Sequence, residues 1–225
     1  MSSPQLPPNF PPDVPYLTVP LPSPLLSPID RLVYCTPCPP HLLPNAPPRV
    51  AIQALTDPRH PAKGQCGLFN ASGKALERGT WIRDYVGVVH TEAEADPTSG
   101  YDLALERRPV PCAEGDDAEV RYEVVGCDAA RMGGEARFVN DYRGVPGFER
   151  PNAVFELRSW DIPGVVGRKG VRMAVWAGPH GVRAGAEICV SYGKGFWETQ
   201  GGPAAKEKPT ARVGRGRRVA KGKKV

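Results

Sequence analysis

Apolar residues between Arg49 and Trp197 fall in short β-branched and aromatic runs that alternate with polar positions or stop at glycine, and helical spacing never lasts beyond two turns. That pattern predicts a mostly β body. Strands are expected at Val50 to Leu55, Thr80 to His90, Tyr101 to Glu106, Arg121 to Gly126, Asn152 to Trp160, Val171 to Trp176 and Glu187 to Tyr192. Asp57-Pro58, Ser72-Gly73, Ser99-Gly100, Gly133-Gly134, Pro146-Gly147, Pro163-Gly164 and Pro179-His180-Gly181 separate them, each supplying a fixed φ or the freedom to make it positive. Glu135 to Val139, entered through two glycines, is expected to form one short helical turn. No internal repeat or heptad pattern appears, which argues against a propeller, a solenoid and a coiled coil.

Composition divides the chain into three. Of its 27 prolines, 16 lie between Pro4 and Pro48. Proline fixes φ and lacks an amide hydrogen, so residues 1–48 are expected to be a disordered leader. A folded domain is expected over 49–200 and a basic disordered tail over 201–225. From Lys206 to Val225 nine Lys or Arg face one acid, Glu207, a local charge of +8; the whole chain carries +5, which leaves residues 1–205 at −3. The tail, not the body, is basic. Arg215, Arg217, Arg218, Lys221, Lys223 and Lys224 are spaced by Gly, Ala and Val with no apolar face to bury, so the tail should stay in solvent and reach for anions. A solubilising or nuclear-import role and contact with DNA or a nucleosome both fit it.

Six cysteines (Cys35, Cys38, Cys66, Cys112, Cys127 and Cys189) are scattered rather than framed, which suits free thiols in a reducing compartment. Cys35-Thr-Pro-Cys38 has the spacing of half a zinc site, yet no second Cys or His pair follows at a matching interval, and His41 nearby reads as incidental; no metal is expected. Neither a membrane-length apolar run nor a basic-then-apolar start occurs. The expected location is therefore nuclear or cytoplasmic, with the basic tail favouring the nucleus.

Candidate chemistry lies in blocks of fixed order. They are Gly64-Gln-Cys-Gly67-Leu68-Phe69, Gly79-Thr-Trp-Ile-Arg-Asp-Tyr85-Val-Gly87, Tyr101-Asp102, Gly134-Glu-Ala-Arg137-Phe138-Val139-Asn140-Asp141, Pro151-Asn152, and Gly185-Ala-Glu187-Ile-Cys-Val190-Ser-Tyr192-Gly193. The glycine turn is no dinucleotide fingerprint, because no Gly-x-Gly-x-x-Gly follows a strand. From Gly64 to Trp197 the order of blocks resembles the SET-domain family of protein-lysine methyltransferases. That family's pattern runs from a Gly-Leu-Phe turn through Tyr-x-Gly and Arg-Phe-x-Asn-His-Ser to Pro-Asn and a Gly-Glu-Glu-Leu block ending in Tyr-Gly. Asp141 and Tyr142 stand here where the family has His and Ser, and the loop from Tyr142 to Arg150 is longer than usual, a place where binding specificity commonly resides.

The resemblance implies a SET-domain fold of short curved sheets with a knot-like C-terminal crossing, and S-adenosylmethionine as cofactor. It assigns the cofactor to the backbone of Gly67, Leu68 and Phe69, to Tyr101 and Arg137, and to Phe138, Asn140 and Asp141. Trp197 would cover the adenine or simply anchor the last strand. Tyr192 and Tyr85 would line the slot that receives the lysine, although strand tyrosines often only pack. Phe155 and Val190 would shape that slot, leaving room for di- or trimethylation. The implied function is protein-lysine N-methylation of a histone tail or other nuclear protein. The alternative is a catalytically weak SET-like chromatin-binding or scaffold module, its leader docking partners.

Overall fold

Short runs of β-branched and aromatic residues form strands near most of the expected positions. The computed structural model describes residues 6–44, 46–110 and 121–193. Two units divide the chain, Met1–Ser191 and Tyr192–Val225, and every element below belongs to the first. In order they are β1 (Leu21–Pro22), α1 (Pro28–Cys35), β2 (Val50–Ala54), β3 (Cys66–Asn70), β4 (Trp81–Asp84), β5 (Val88–Thr91), β6 (Asp102–Val110), β7 (Arg121–Asp128), β8 (Asn140–Asp141), β9 (Ala153–Asp161), β10 (Lys169–Ala177) and β11 (Cys189–Val190). Short 3-10 turns stand at Pro40–Leu42, Glu92–Glu94 and Glu135–Phe138, the last where the helical turn was expected.

Strands dominate and are spread over small sheets, with no closed barrel among the described residues. One sheet runs β1-β5-β7-β6, a second β4-β10-β9, and two-stranded pairs join β2 to β3 and β8 to β11. The β8–β11 and β1–β5 pairs are parallel; the other pairs are antiparallel. Ile52, Leu68, Ile82, Val89, Val125, Val175, Val182, Ile188 and Val190 form the fully buried centre of the body.

Two departures from the expected strands have clear causes. The run from Thr80 to His90 breaks into β4 and β5 because Gly87 is packed against the Asp128 carbonyl, where a Cβ would stand only 2.2 Å from the oxygen. Each half then joins a different sheet: β4 pairs with β10, and β5 lies between β1 and β7. At Gly64 the expected turn is present, with φ at 86°, but the residues after it form β3 instead of continuing as a loop.

The disordered leader is overturned over its described part. Leu21 and Ser23 donate their amides to the Gly87 and Val89 carbonyls at 3.0 and 2.8 Å. Pro20, Pro22 and Pro24 alternate with them, so the missing amides fall on the side away from β5. Proline is tolerated on such an edge strand and nowhere deeper in a sheet. After it, Ser27 caps α1 by accepting from the Asp30 amide at 3.1 Å, and Pro28 takes the first turn, where no amide partner is needed. Asp30 then holds the Arg108 guanidinium through both oxygens at 2.9 Å, and Tyr34 donates to Glu106 at 2.6 Å. Phe10, Leu26 and Tyr34 are buried with the core.

Candidate functional site

β3 is bonded along both edges, and this brings the expected blocks together. β2 pairs with one edge; on the other, Asn70 donates to the Ala186 carbonyl and Ile188 donates to the Leu68 carbonyl, at 2.9 and 2.7 Å. The same chain then continues into β11, which runs parallel to β8, with Cys189 beside Asn140 and Val190 beside Asp141. Asn152 closes the arrangement from outside. Its Nδ2 donates to the Glu187 carbonyl at 2.7 Å and its Oδ1 accepts from the Cys189 amide at 2.8 Å, so one side chain satisfies both groups of an extended backbone. The glycine-turn, Arg-Phe-x-Asn, Pro-Asn and last-strand blocks thus meet around residues 186–190.

At their junction lies a buried polar cluster. Glu187 accepts from His60 Nε2 at 3.1 Å on one oxygen and from Asn140 Nδ2 at 2.8 Å on the other. His60 Nδ1 itself accepts from the Ala62 amide at 3.0 Å, which leaves the imidazole hydrogen on Nε2, aimed at Glu187. Side chains of His60 and Glu187 are only 5% and 6% exposed, so each needs the partner it has. Asn140 Nδ2 also donates to the Cys66 carbonyl, at 3.3 Å. Gly67 completes the packing: a Cβ there would stand 2.6 Å from Glu187 Oε1 and 3.1 Å from the Phe69 ring.

This geometry corrects the roles expected for β3. Absence of a side chain at Gly67 makes room for Glu187, not for an approaching ligand. Leu68 is wholly buried and its carbonyl is taken by Ile188, so its backbone does not lie open. The exposed part of this run is Lys63 to Gln65, with Cys66 and Phe69 half-buried. Asp141 is also engaged: it is buried, and it accepts from the Arg143 amide and guanidinium at 2.8 and 2.7 Å. A carboxylate standing where the resembled family has His is thereby used to close the turn after β8.

A second cluster forms around Tyr101. Arg137 lays its guanidinium over the Tyr101 ring at 4.7 Å and near the Phe138 ring at 5.1 Å, while Nε and Nη2 donate to the Ala129 and Ala130 carbonyls. Tyr85 is buried, donates its hydroxyl to the Tyr101 carbonyl, and meets Phe155 edge-on at 5.7 Å. Phe138 is buried and packs edge-on against Phe10 of the leader at 5.7 Å. Glu135, at the start of the 3-10 turn, accepts from Tyr16 and from Arg83, so leader and β4 both brace the segment that carries Arg137 and Asn140. Burial and the nearby Glu135 carboxylate raise the Tyr16 hydroxyl well above the usual phenol range.

Of the expected site residues, Gly67, Leu68, Phe69, Asn140, Asp141 and Val190 gather at the first cluster, and Tyr85, Tyr101, Arg137, Phe138 and Phe155 at the second. Tyr192 opens the second unit, and Trp197 and the basic tail lie outside the described residues. Sequence reasoning missed His60 altogether. It also gave Glu187 and Asn152 no role, although both stood in the quoted blocks; a glycine forced at 67 by a carboxylate distant in sequence leaves no local signal. The long loop from Tyr142 to Arg150 supplies, through residues 147–150, one wall of a cleft of about 510 Å³. Pro151, Asn152, His180 and Arg183 supply more of it.

Among the described residues no group of three or more His, Cys, Asp or Glu side chains is placed to hold a metal ion. The five cysteines among the described residues are free thiols, and burial pushes Cys35 up to about 11 and Cys127 and Cys189 higher still. What the clusters offer chemically is a fixed amide, a flat cation on an aromatic ring, and an aromatic wall. No protein-family model matches the chain, and no curated protein matches it.

Proposed function

We propose that the protein is an S-adenosylmethionine-dependent protein-lysine N-methyltransferase of the SET-domain kind, acting on a histone tail or another nuclear protein. The observation that carries this reading is the crossing at residues 186–190. That segment is held between β3 and β8 and clasped by Asn152, and it brings together blocks whose order along the chain resembles the family's. In this reading the sheets belong to a SET fold with a knot-like C-terminal crossing.

The residues present fit such a cofactor. Asn140 Nδ2 is taken by the Cys66 carbonyl and by Glu187, which turns its oxygen away from both acceptors, an orientation that suits an ammonium group. The stacked Arg137 and Tyr101 offer a flat, half-buried platform. When bound, the cofactor supplies an electrophilic methyl group on a sulfonium. The chain's own task is to desolvate and align the lysine. A lysine amine has an ordinary pKa of about 10.4, and a slot lined by aromatic side chains lowers it by excluding water. Tyr85 and Phe155 wall the slot in this reading, and the family resemblance gives the Tyr192 hydroxyl the task of orienting the amine for in-line attack. Val190, fully buried and paired with Asp141 across β11 and β8, sets its depth.

Transfer of labelled methyl from S-adenosylmethionine to histones, nucleosomes and cell extract tests the proposal, comparing the intact protein with Tyr192→Phe. Label on lysine that is lost in the variant is the expected result. Absence of cofactor binding in calorimetry would leave the weak or scaffold module instead, and equal labelling by both proteins would remove Tyr192 from the mechanism.

A further inference from the structure

Asparagine amides can be turned by half a revolution at little cost unless their neighbours forbid it. At Asn140 the neighbours do forbid it. Nδ2 faces two acceptors, the Cys66 carbonyl at 3.3 Å and Glu187 Oε1 at 2.8 Å, and a turned amide would set its oxygen against both. Glu187 is a carboxylate that accepts on both oxygens; His60 takes the other one, and His60 is in turn fixed as an Nε2–H donor by the Ala62 amide at Nδ1. Donors therefore run into Glu187 from both sides, from Ala62 through His60 on one oxygen and from Asn140 on the other. Asn140 is half-buried and its Nδ2 is committed to these acceptors, which turns its oxygen away from them, while His60 and Glu187 are buried.

We propose that His60 and Glu187 are positioning residues that hold the Asn140 amide with its oxygen outward, so that it accepts from the ammonium of the cofactor's amino-acid end. The proposal rests on the reading of the site given above. It goes beyond it by assigning His60, which precedes every block of the resemblance, a role in selecting a cationic group.

Glu187→Gln discriminates. Glutamine offers one oxygen and one NH₂ group where the carboxylate offered two acceptors, and His60 claims the oxygen because its tautomer is fixed. The new NH₂ then faces Asn140, which turns its own oxygen inward and its NH₂ outward, opposing an ammonium. Calorimetry on the full chain should show S-adenosylmethionine binding weakened roughly ten- to a hundredfold. 5′-Methylthioadenosine lacks the amino-acid end and should bind the variant as it binds the wild type, which also shows that the variant is folded. Adding His60→Leu to Glu187→Gln lets the glutamine turn its oxygen to Asn140 and should restore much of the lost S-adenosylmethionine binding. Equal loss of both ligands, or no loss of either, overturns the proposal. If the wild type binds neither compound, the methyltransferase reading falls, and the Asn140 side-chain NH₂ signals in NMR decide the positioning claim alone. Slow exchange with solvent in the wild type, made faster by Glu187→Gln, supports it; signals unchanged by the substitution overturn it.

Discussion

At the residue scale, hydrogen-bond polarity says more than charge counts. His90 is the case where it yields a prediction. Its Nδ1 lies 3.0 Å from the Thr91 carbonyl and its Nε2 3.1 Å from Asp102 Oδ1, so both ring nitrogens face acceptors and both must donate. The imidazolium form satisfies this and the neutral form cannot. Accordingly the hydrogen bond to Asp102 raises His90 to about 9, against the opposing effect of burial. Because the folded value lies above the ordinary one of about 6.5, the pair contributes its full stabilisation below pH 6.5, and this is lost as pH rises through 9. Urea unfolding should show the wild type losing stability between pH 6 and pH 9.5. Asp102→Asn should be less stable at pH 6 and should have a flatter profile. Parallel profiles for the two proteins would mean that the pair does not titrate as the geometry requires. His60, whose Nδ1 is itself an acceptor, belongs to the opposite class, and the two histidines are told apart by partners that the sequence does not reveal.

At the scale of elements, what the sequence made legible was the β-branched and aromatic content of long strands. Asn152 to Trp160 and Val171 to Trp176 are rich in such residues, and they became β9 and β10, paired without a break from Lys169 opposite Asp161 to Ala177 opposite Ala153. Elements whose cause lies elsewhere in the chain were not legible. β3 is a strand because β2 and residues 186–188 bond its two edges, and the break before β5 comes from the close approach of Asp128 to Gly87. The leader was misread because proline was counted and not placed: Pro20, Pro22 and Pro24 recur at the two-residue period that leaves Leu21 and Ser23 free to donate. Ser27-Pro28 followed by Asp30 was likewise a helix start in plain view. A chain beginning at Arg49 loses the buried side chains of Phe10, Leu26 and Tyr34 and leaves Arg108 without Asp30. It should unfold without a cooperative transition and bind a hydrophobic dye such as ANS at pH 7. A wild-type melting curve from that truncated protein would show that residues 6–44 only decorate the body.

Across the whole molecule, charge is segregated more sharply than fold. The last twenty residues carry +8, and the remaining 205 sum to −3. An acidic body has no general attraction for nucleic acid, so any affinity for DNA belongs to the tail and should have the signature of counterion release. The logarithm of the binding constant should then fall with the logarithm of salt concentration at a slope of about −0.9 for each phosphate neutralised. Six of the nine tail cations lie between Arg215 and Lys224, interspersed with Gly, Val and Ala that add no apolar face. Fluorescence anisotropy with duplex DNA of unrelated sequences should give a steep, sequence-independent salt slope for the full chain. Little binding should remain at physiological salt for a chain ending at Ala205. Under the proposed methyltransferase function, transfer to a free peptide should be the same for both lengths, while transfer to a nucleosome should fall with the tail removed. This pattern separates a tail that delivers substrate from one that shapes the site. A tailless protein that keeps the salt slope would move the nucleic-acid surface onto the body, against its charge. One that loses peptide methylation would make the tail part of the site itself.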